Sequence, residues 1–351
     1  MTEQQRIPCR SPLAGDAPGQ PAAKASPASG VRQGISLRRS PARLRARWWL
    51  AWVLLLPCGL HAQVQKLELD APAFAPERIH VTVYLPPDYA QSTNRYPVLY
   101  ANDGQDMPAV GLQSTLAALY REHAIQPLIV VAIDMLHDRA SGYGLSDWRR
   151  GQSVVGGSVI GPIGLKAADY SSWVADTLVP YVDAHYRTRT EVRSRAVMGW
   201  SLGALNAFNL GWEYPQVFGT VGAMSPSFWL AADRGDAAAV QRSRLAQAMV
   251  DRGPKRVGLK WWFAAGTAEE TNDRDRDGAI DVVDDLHDLV NGYRGDGVQL
   301  GGLRQLGYRI GDGDRRDSDV SVFLLPGGHH QQASWAKMLP VFLRWSFPPE
   351  S

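Results

Sequence analysis

Short apolar runs alternating with helical patterns constrain this chain more than any other feature. Pro97–Ala101 (PVLYA), Leu128–Ile133 (LIVVAI) and Arg195–Gly199 (RAVMG) are apolar almost without a break, and Thr220–Met224, Leu259–Ala264 and Val320–Leu325 continue the series. A strand of that kind has to be covered on both faces. Helical patterns near Leu112–His123, Ser172–His185, Leu202–Trp212 and Ala333–Trp345 supply the cover, and Ile79–Leu85 alternates up to Pro86-Pro87 as one more strand. The expected fold class is α/β, a mostly parallel sheet with helices on both faces. Residues 63–351 contain no internal repeat and no Pro-rich linker, so they read as a single domain. The Gly- and Ser-rich stretch Asp138–Ala168 reads as an ordered insertion over one end of the sheet.

The first 62 residues have a different character. Residues 1–37 are rich in Pro, Ala, Gly and Ser and cannot bury enough surface to order themselves. A basic run from Arg38 to Arg47 precedes the apolar stretch Trp48–Leu60, and Leu60-His61-Ala62 offers a small-residue exit. These are the three parts of a secretory signal peptide at about 38–62, and they predict a periplasmic or secreted protein with no stable membrane insertion after cleavage. The apolar core falls short of a membrane span. The formal net charge of +2 hides an asymmetry, +7 in residues 1–62 against −5 in 63–351. An acidic domain argues against a nucleic-acid partner held through phosphates. Both cysteines, Cys9 and Cys58, lie in the leader, which excludes thiol nucleophiles and Cys-ligated metals from the domain.

Chemistry concentrates in three places. Met198-Gly199-Trp200-Ser201-Leu202-Gly203-Ala204 joins a buried strand to a helix, the setting a Gly-x-Ser-x-Gly motif needs to act as a nucleophile elbow. The turn lifts the Ser201 hydroxyl above the sheet, and the Leu202 N–H at the helix start can donate to an oxyanion. A base and an acid must follow in the order Ser, acid, His. Pro326-Gly327-Gly328-His329-His330 places a His pair after the last strand, and Thr267-Ala268-Glu269-Glu270 places two carboxylates after another, with either glutamate qualifying by position.

With these segments in place the chain resembles the esterase D-like branch of the α/β-hydrolases, over about Ile79 to Phe347. That branch includes enterochelin-type siderophore esterases, feruloyl and acetyl esterases, S-formylglutathione hydrolase and the antigen 85 acyltransferases. The matching segments are Tyr96–Tyr100 with Asp103-Gly104-Gln105, Tyr186-Arg187-Thr188, Gly199–Gly203, Tyr214–Gly219, Ser225–Trp229 and Gly327–His330. The resemblance implies Ser201 as nucleophile, His330 rather than His329 as base, Glu269 as acid, and an oxyanion hole from Leu202 with Gly104 or Gln105. Two positions depart from the pattern: Ala204 stands where a second Gly often follows, and the loop reads Asn102-Asp103-Gly104 in place of His-Gly.

The expected function is an exported serine esterase that cleaves a small-molecule or glycan ester through an acyl-enzyme and needs no organic cofactor. Siderophore-type and acyl-carbohydrate esters are the substrate classes considered; Trp148, Trp229, Trp261 and Trp262 offer flanks to an aromatic or a sugar, with core packing the commoner fate of such tryptophans. The alternatives are an acyltransferase of the same fold and a non-catalytic calcium-dependent binding protein. The second rests on residues 273–284, where Asp273, Asp275, Asp277, the Ala279 carbonyl, Asp281 and Asp284 fit an EF-hand-like loop with Gly278 at its sharp turn. A structural calcium ion there would steady the segment that carries Glu269.

Overall fold

The computed structural model describes residues 63–312 and 317–350. The expected extension and signal peptide in residues 1–62, with Cys9 and Cys58, lie outside the described residues. Among the described residues nine strands form the central sheet: β1 (Val64–Asp70), β2 (Arg78–Tyr84), β3 (Val98–Ala101), β4 (Ile129–Ile133), β5 (Arg195–Trp200), β6 (Thr220–Met224), β7 (Lys260–Gly266), β8 (Ile310–Asp312) and β9 (Val320–Leu325). Their order is β1-β2-β4-β3-β5-β6-β7-β9-β8. Pairing is parallel from β4 to β8, while β1 and β2 add an antiparallel edge.

Alternation along each parallel strand divides the core in two. Val98, Tyr100, Val131, Val197, Val221, Trp261 and Phe263 face one side, with Leu205, Phe208 and Trp212 of helix α2 (Leu202–Glu213). Leu99, Ala101, Val130, Met198, Met224 and Trp262 face the other, with Leu116 of α1 (Leu112–Arg121) and Met338 and Phe342 of α4 (Gln332–Ser346). Helix α3 (Asp281–Asn291) covers the first face through Leu286 and Leu289. The expected helix at Ser172–His185 is the later part of a longer run, Ala167–Ser172, a π-helical segment Trp173–Leu178, and Val179–His185. Of the four tryptophans, Trp261 and Trp262 take the commoner of the two expected fates, core packing, fully buried inside β7. A strand in the middle of a sheet sends its side chains into the two layers beside it, not to the edge where a ligand would sit.

Parallel strands put all their C-terminal ends on one edge of the sheet. Asn102, Ser201, Ser225, Thr267 and Pro326 therefore all follow strand ends there. The insertion at 138–168 is ordered as expected, with a helical turn Arg139–Gly142 and two hairpins, Leu145–Asp147 with Gln152–Val154 and Gly156–Ser158 with Gly161–Ile163. Among the described residues no helix is long and apolar enough to cross a membrane.

Candidate active site

Ser201 sits between β5 and α2 at φ 57°, ψ −126°, a conformation that a non-Gly residue holds only when its surroundings impose it. Those surroundings explain both glycines of the motif. A β-carbon at Gly199 would lie well inside van der Waals distance of the Gly203 carbonyl, and one at Gly203 would collide with the Asp103 carboxylate. Leu202 opens α2, so its N–H is among those that helical bonding leaves free. Ala204 fits where the pattern often has Gly, fully buried and with its N–H donating to the Ser201 carbonyl at 3.1 Å.

The loop after β3 is clamped onto this elbow. Asn102 Nδ2 donates to the Gly203 carbonyl at 2.9 Å and to Asn206 Oδ1 at 3.1 Å, and its own Oδ1 accepts from the Tyr170 hydroxyl. Asp103, also left-handed at φ 57°, is 1% exposed and takes a bidentate pair from Arg139 at 2.8 and 3.0 Å. Burial pushes its carboxyl upward, and the guanidinium opposes that. Arg139 also donates to the Trp200 carbonyl at 3.2 Å, and Trp200 Nε1 donates to Asp106 at 3.0 Å. Gly104 runs so close to β4 that a β-carbon would stand 2.8 Å from the Ile133 backbone, and Gln105 Oε1 accepts the Met135 N–H. The Asn-Asp-Gly sequence thus ties the expected oxyanion loop to β4, the elbow and the insertion.

The segments carrying the expected acid and base are joined through two backbone–backbone bonds and one to a side chain. Thr267 N–H donates to the Leu325 carbonyl at 3.0 Å, Ala268 N–H to the Gly328 carbonyl at 2.9 Å, and Gly327 N–H to Thr267 Oγ1 at 2.9 Å. Gly266 and Gly328 pass too closely for a side chain at Gly266. This pairing brings Glu269 Oε2 to 2.8 Å from His330 Nδ1, with the acid 2% and the histidine 41% exposed. Glu270 is occupied elsewhere: one oxygen accepts the Val282 N–H and the other the Asn272 amide. His329 donates its backbone N–H to Ser334 Oγ, pinning the start of α4. The Ser201 hydroxyl has no hydrogen-bond partner among the described residues. In a substrate-free site the serine–histidine contact is commonly loose and closes in the Michaelis complex.

Residues 73–291 match the sequence profile of the family described as Putative esterase. The chain belongs to that family. Esterase MT1326 of Mycobacterium tuberculosis (strain CDC 1551 / Oshkosh) is 28% identical over 193 residues, 53% of this chain and 37% of its own length. A solved ferulic acid esterase superposes with a TM-score of 0.56 at 17% identity, over 82% of this chain and 98% of that one. Enterobactin esterase FES from Shigella flexneri gives 0.57 at 17% identity, over 81% and 59%. At such identities the likeness is one of fold, that of an α/β-hydrolase. The chain spans about half the length of the curated relatives it matches.

The acidic loop of this esterase-family chain differs from the expected six-ligand arrangement. Carboxylate oxygens of Asp273, Asp275 and Asp277 lie within 4.8 Å of one another. Asp281 and Asp284 do not join them. Asp281 opens α3 and accepts from the Arg274 backbone and guanidinium at 2.8 and 3.0 Å. Asp284 accepts from Gln241 at 3.1 Å, and burial together with Asp288 and Asp275 pushes its carboxyl up to about 7. The helix begins at loop position 9 and carries Asp281 into the ion-pair network of Arg244, Arg274, Asp285 and Asp288, while Asp284 turns to Gln241. Ala279 donates its N–H to Asp277, closing the turn.

Two residues given no role from sequence stand behind Glu269: Ser225 Oγ donates to Glu269 Oε1 at 2.6 Å, and Trp335 Nε1 donates to Ser225 Oγ at 2.9 Å. Ser225 lay inside a quoted motif, and Trp335 gave no signal beyond an aromatic in a helix. Arg139 was equally silent, as one basic residue in a Gly-rich insertion. Removing it strands a buried carboxylate, so Arg139→Ala is expected to cost about 3 kcal/mol in urea unfolding. The double variant Arg139→Ala with Asp103→Asn should cost less than the single one, because no charge is left unpaired.

Proposed function

We propose that this chain is a serine esterase whose triad is Ser201, His330 and Glu269. The observation that carries the reading is the 2.8 Å contact between Glu269 and His330 on loops beside a strained Ser201 turn. Glu269 holds the proton on Nδ1 and leaves Nε2 as the base. His330 takes the Ser201 proton as Oγ bonds to the ester carbonyl carbon. The oxyanion is held by the Leu202 N–H and one from Gly104 or Gln105. The tetrahedral intermediate collapses with cleavage of the ester C–O bond, and His330 hands the proton to the leaving alkoxide. Water then repeats the sequence and frees the acid.

A cavity of about 460 Å³, lined by Val159, Trp229, Arg234, Val240, Glu270 and Asn272, lies between the segments leaving β6 and β7. Trp229 lies two residues beyond Ser227, whose N–H donates to the Ser201 carbonyl at 3.3 Å, and Glu270 is next to Glu269 in the chain; Ser201, Glu269 and His330 themselves do not line the cavity. An aromatic wall with the Arg234 guanidinium 6.0 Å from the Trp229 ring suits a planar or polyhydroxylated group. Esters of aromatic acids and acylated sugars are therefore the proposed substrates, in line with neighbours described as acting on ferulic acid esters and enterobactin. The leader in residues 1–62 supports export of a mature domain at 63–351.

Ser201→Ala is expected to lower p-nitrophenyl acetate hydrolysis by on the order of 10⁴-fold or more while the protein still unfolds at the wild-type temperature. A variant as active as the parent would sink the reading, and turnover that requires an alcohol acceptor would turn it into an acyltransferase. Calcium, if held by Asp273, Asp275 and Asp277 alone, is a structural ion of modest affinity, with a Kd on the order of 10⁻⁴–10⁻³ M. Calcium titration should then raise the melting temperature, and chelation should lower it with kcat unchanged. No thermal response to millimolar calcium would remove the ion from the account.

A further inference from the structure

We propose that Ser225 and Trp335 are positioning residues that hold Glu269 in the orientation that meets His330, with Trp335 acting through Ser225. The proposal rests on the triad reading above.

Glu269 Oε2 faces His330, and its other oxygen, Oε1, takes two short donors, Ser225 Oγ at 2.6 Å and the Gly266 N–H at 2.6 Å. The direction of the serine bond is fixed by its third partner. Trp335 Nε1 lies 2.9 Å from Ser225 Oγ, and an indole nitrogen can only donate. The hydroxyl accepts that bond, so its own proton is turned toward Glu269. A carboxylate oxygen accepts, so the bonds from Trp335 through Ser225 and from His330 Nδ1 converge on Glu269 from its two sides. Ser225 itself is held at φ 49°, a costly conformation for a non-Gly residue, with its N–H on the Ala264 carbonyl. The strain places Oγ between β6 and β7, under the carboxylate.

Trp335 touches the other members as well. Its ring stacks on Trp200, the residue before Ser201, with centroids 5.2 Å apart and planes 7° from parallel. The same ring meets the His330 imidazole edge to face at 5.4 Å. One indole on α4 thus bears on the acid through Ser225, on the base through the ring contact, and on the elbow through Trp200. Neither Ser225 nor Trp335 lines the cavity beside Trp229. Loss of either hydrogen bond should therefore disorient the acid and base without changing how the ester is held.

The test uses the full chain with p-nitrophenyl acetate, comparing Ser225→Ala, Trp335→Phe, the double variant and Ser201→Ala. Trp335→Phe removes the donor and keeps a smaller aromatic ring in the stack, so it stays informative if Ser225→Ala is poorly folded. Each single variant should lower kcat by about 10- to 100-fold with KM within about twofold, and the double variant should be no worse than Ser225→Ala. A kcat within about twofold of wild type in both single variants overturns the proposal, even if their melting temperatures fall. Multiplying losses in the double variant also overturn it, because Trp335 would then not act through Ser225. An active Ser201→Ala variant would instead overturn the triad reading, and this inference with it.

Discussion

Strand β5 and helix α2 cross so closely at Ser201 that neither Gly199 nor Gly203 has room for a side chain. The crossing forces the left-handed turn at Ser201, lifts its hydroxyl off the sheet and leaves the Leu202 N–H at a helix start. It also lets the Asn102–Gly104 loop lie against the first turn of α2, with the Asn102 amide on the Gly203 carbonyl. The pair of buried Asp103 with half-buried Arg139 closes the arrangement from the insertion side. Backbone strain of this kind persists only when several elements over-determine it, and here β3, the insertion and α2 all do so.

A second constraint is the shared edge of the parallel sheet. Register between β7 and β9, with Gly266 opposite Leu325, makes the two chains leave the sheet together. Three hydrogen bonds then carry them in parallel as far as Ala268 and Gly328. Glu269 and His330, 61 positions apart, meet because the strands before them are neighbours.

The parallel sheet was legible because its strands are apolar on both faces, a pattern no exposed strand sustains. The elbow was legible because glycines at fixed spacing between a strand and a helix have few other uses. Strand β1 was not, since its residues alternate between half-buried and exposed at the sheet edge and VQKLELD carries no run. The choice between Glu269 and Glu270 lay beyond composition: it depends on Asn272 and the start of α3 drawing Glu270 away. The partners of the acidic loop were hidden for a related reason. Its spacing counts carboxylates, whereas α3 begins inside it and commits Asp281 to Arg274. Ser225 and Trp335 were hidden because their partners are set by tertiary packing over separations of 44 and 110 positions.

The central claim is that Ser201 is a nucleophile activated by His330, and covalent capture tests it most directly. A fluorophosphonate probe should add once per chain, with peptide mapping placing the adduct on Ser201, and His330→Ala should lose the labelling. An adduct on another residue, or equal labelling without His330, would contradict the account.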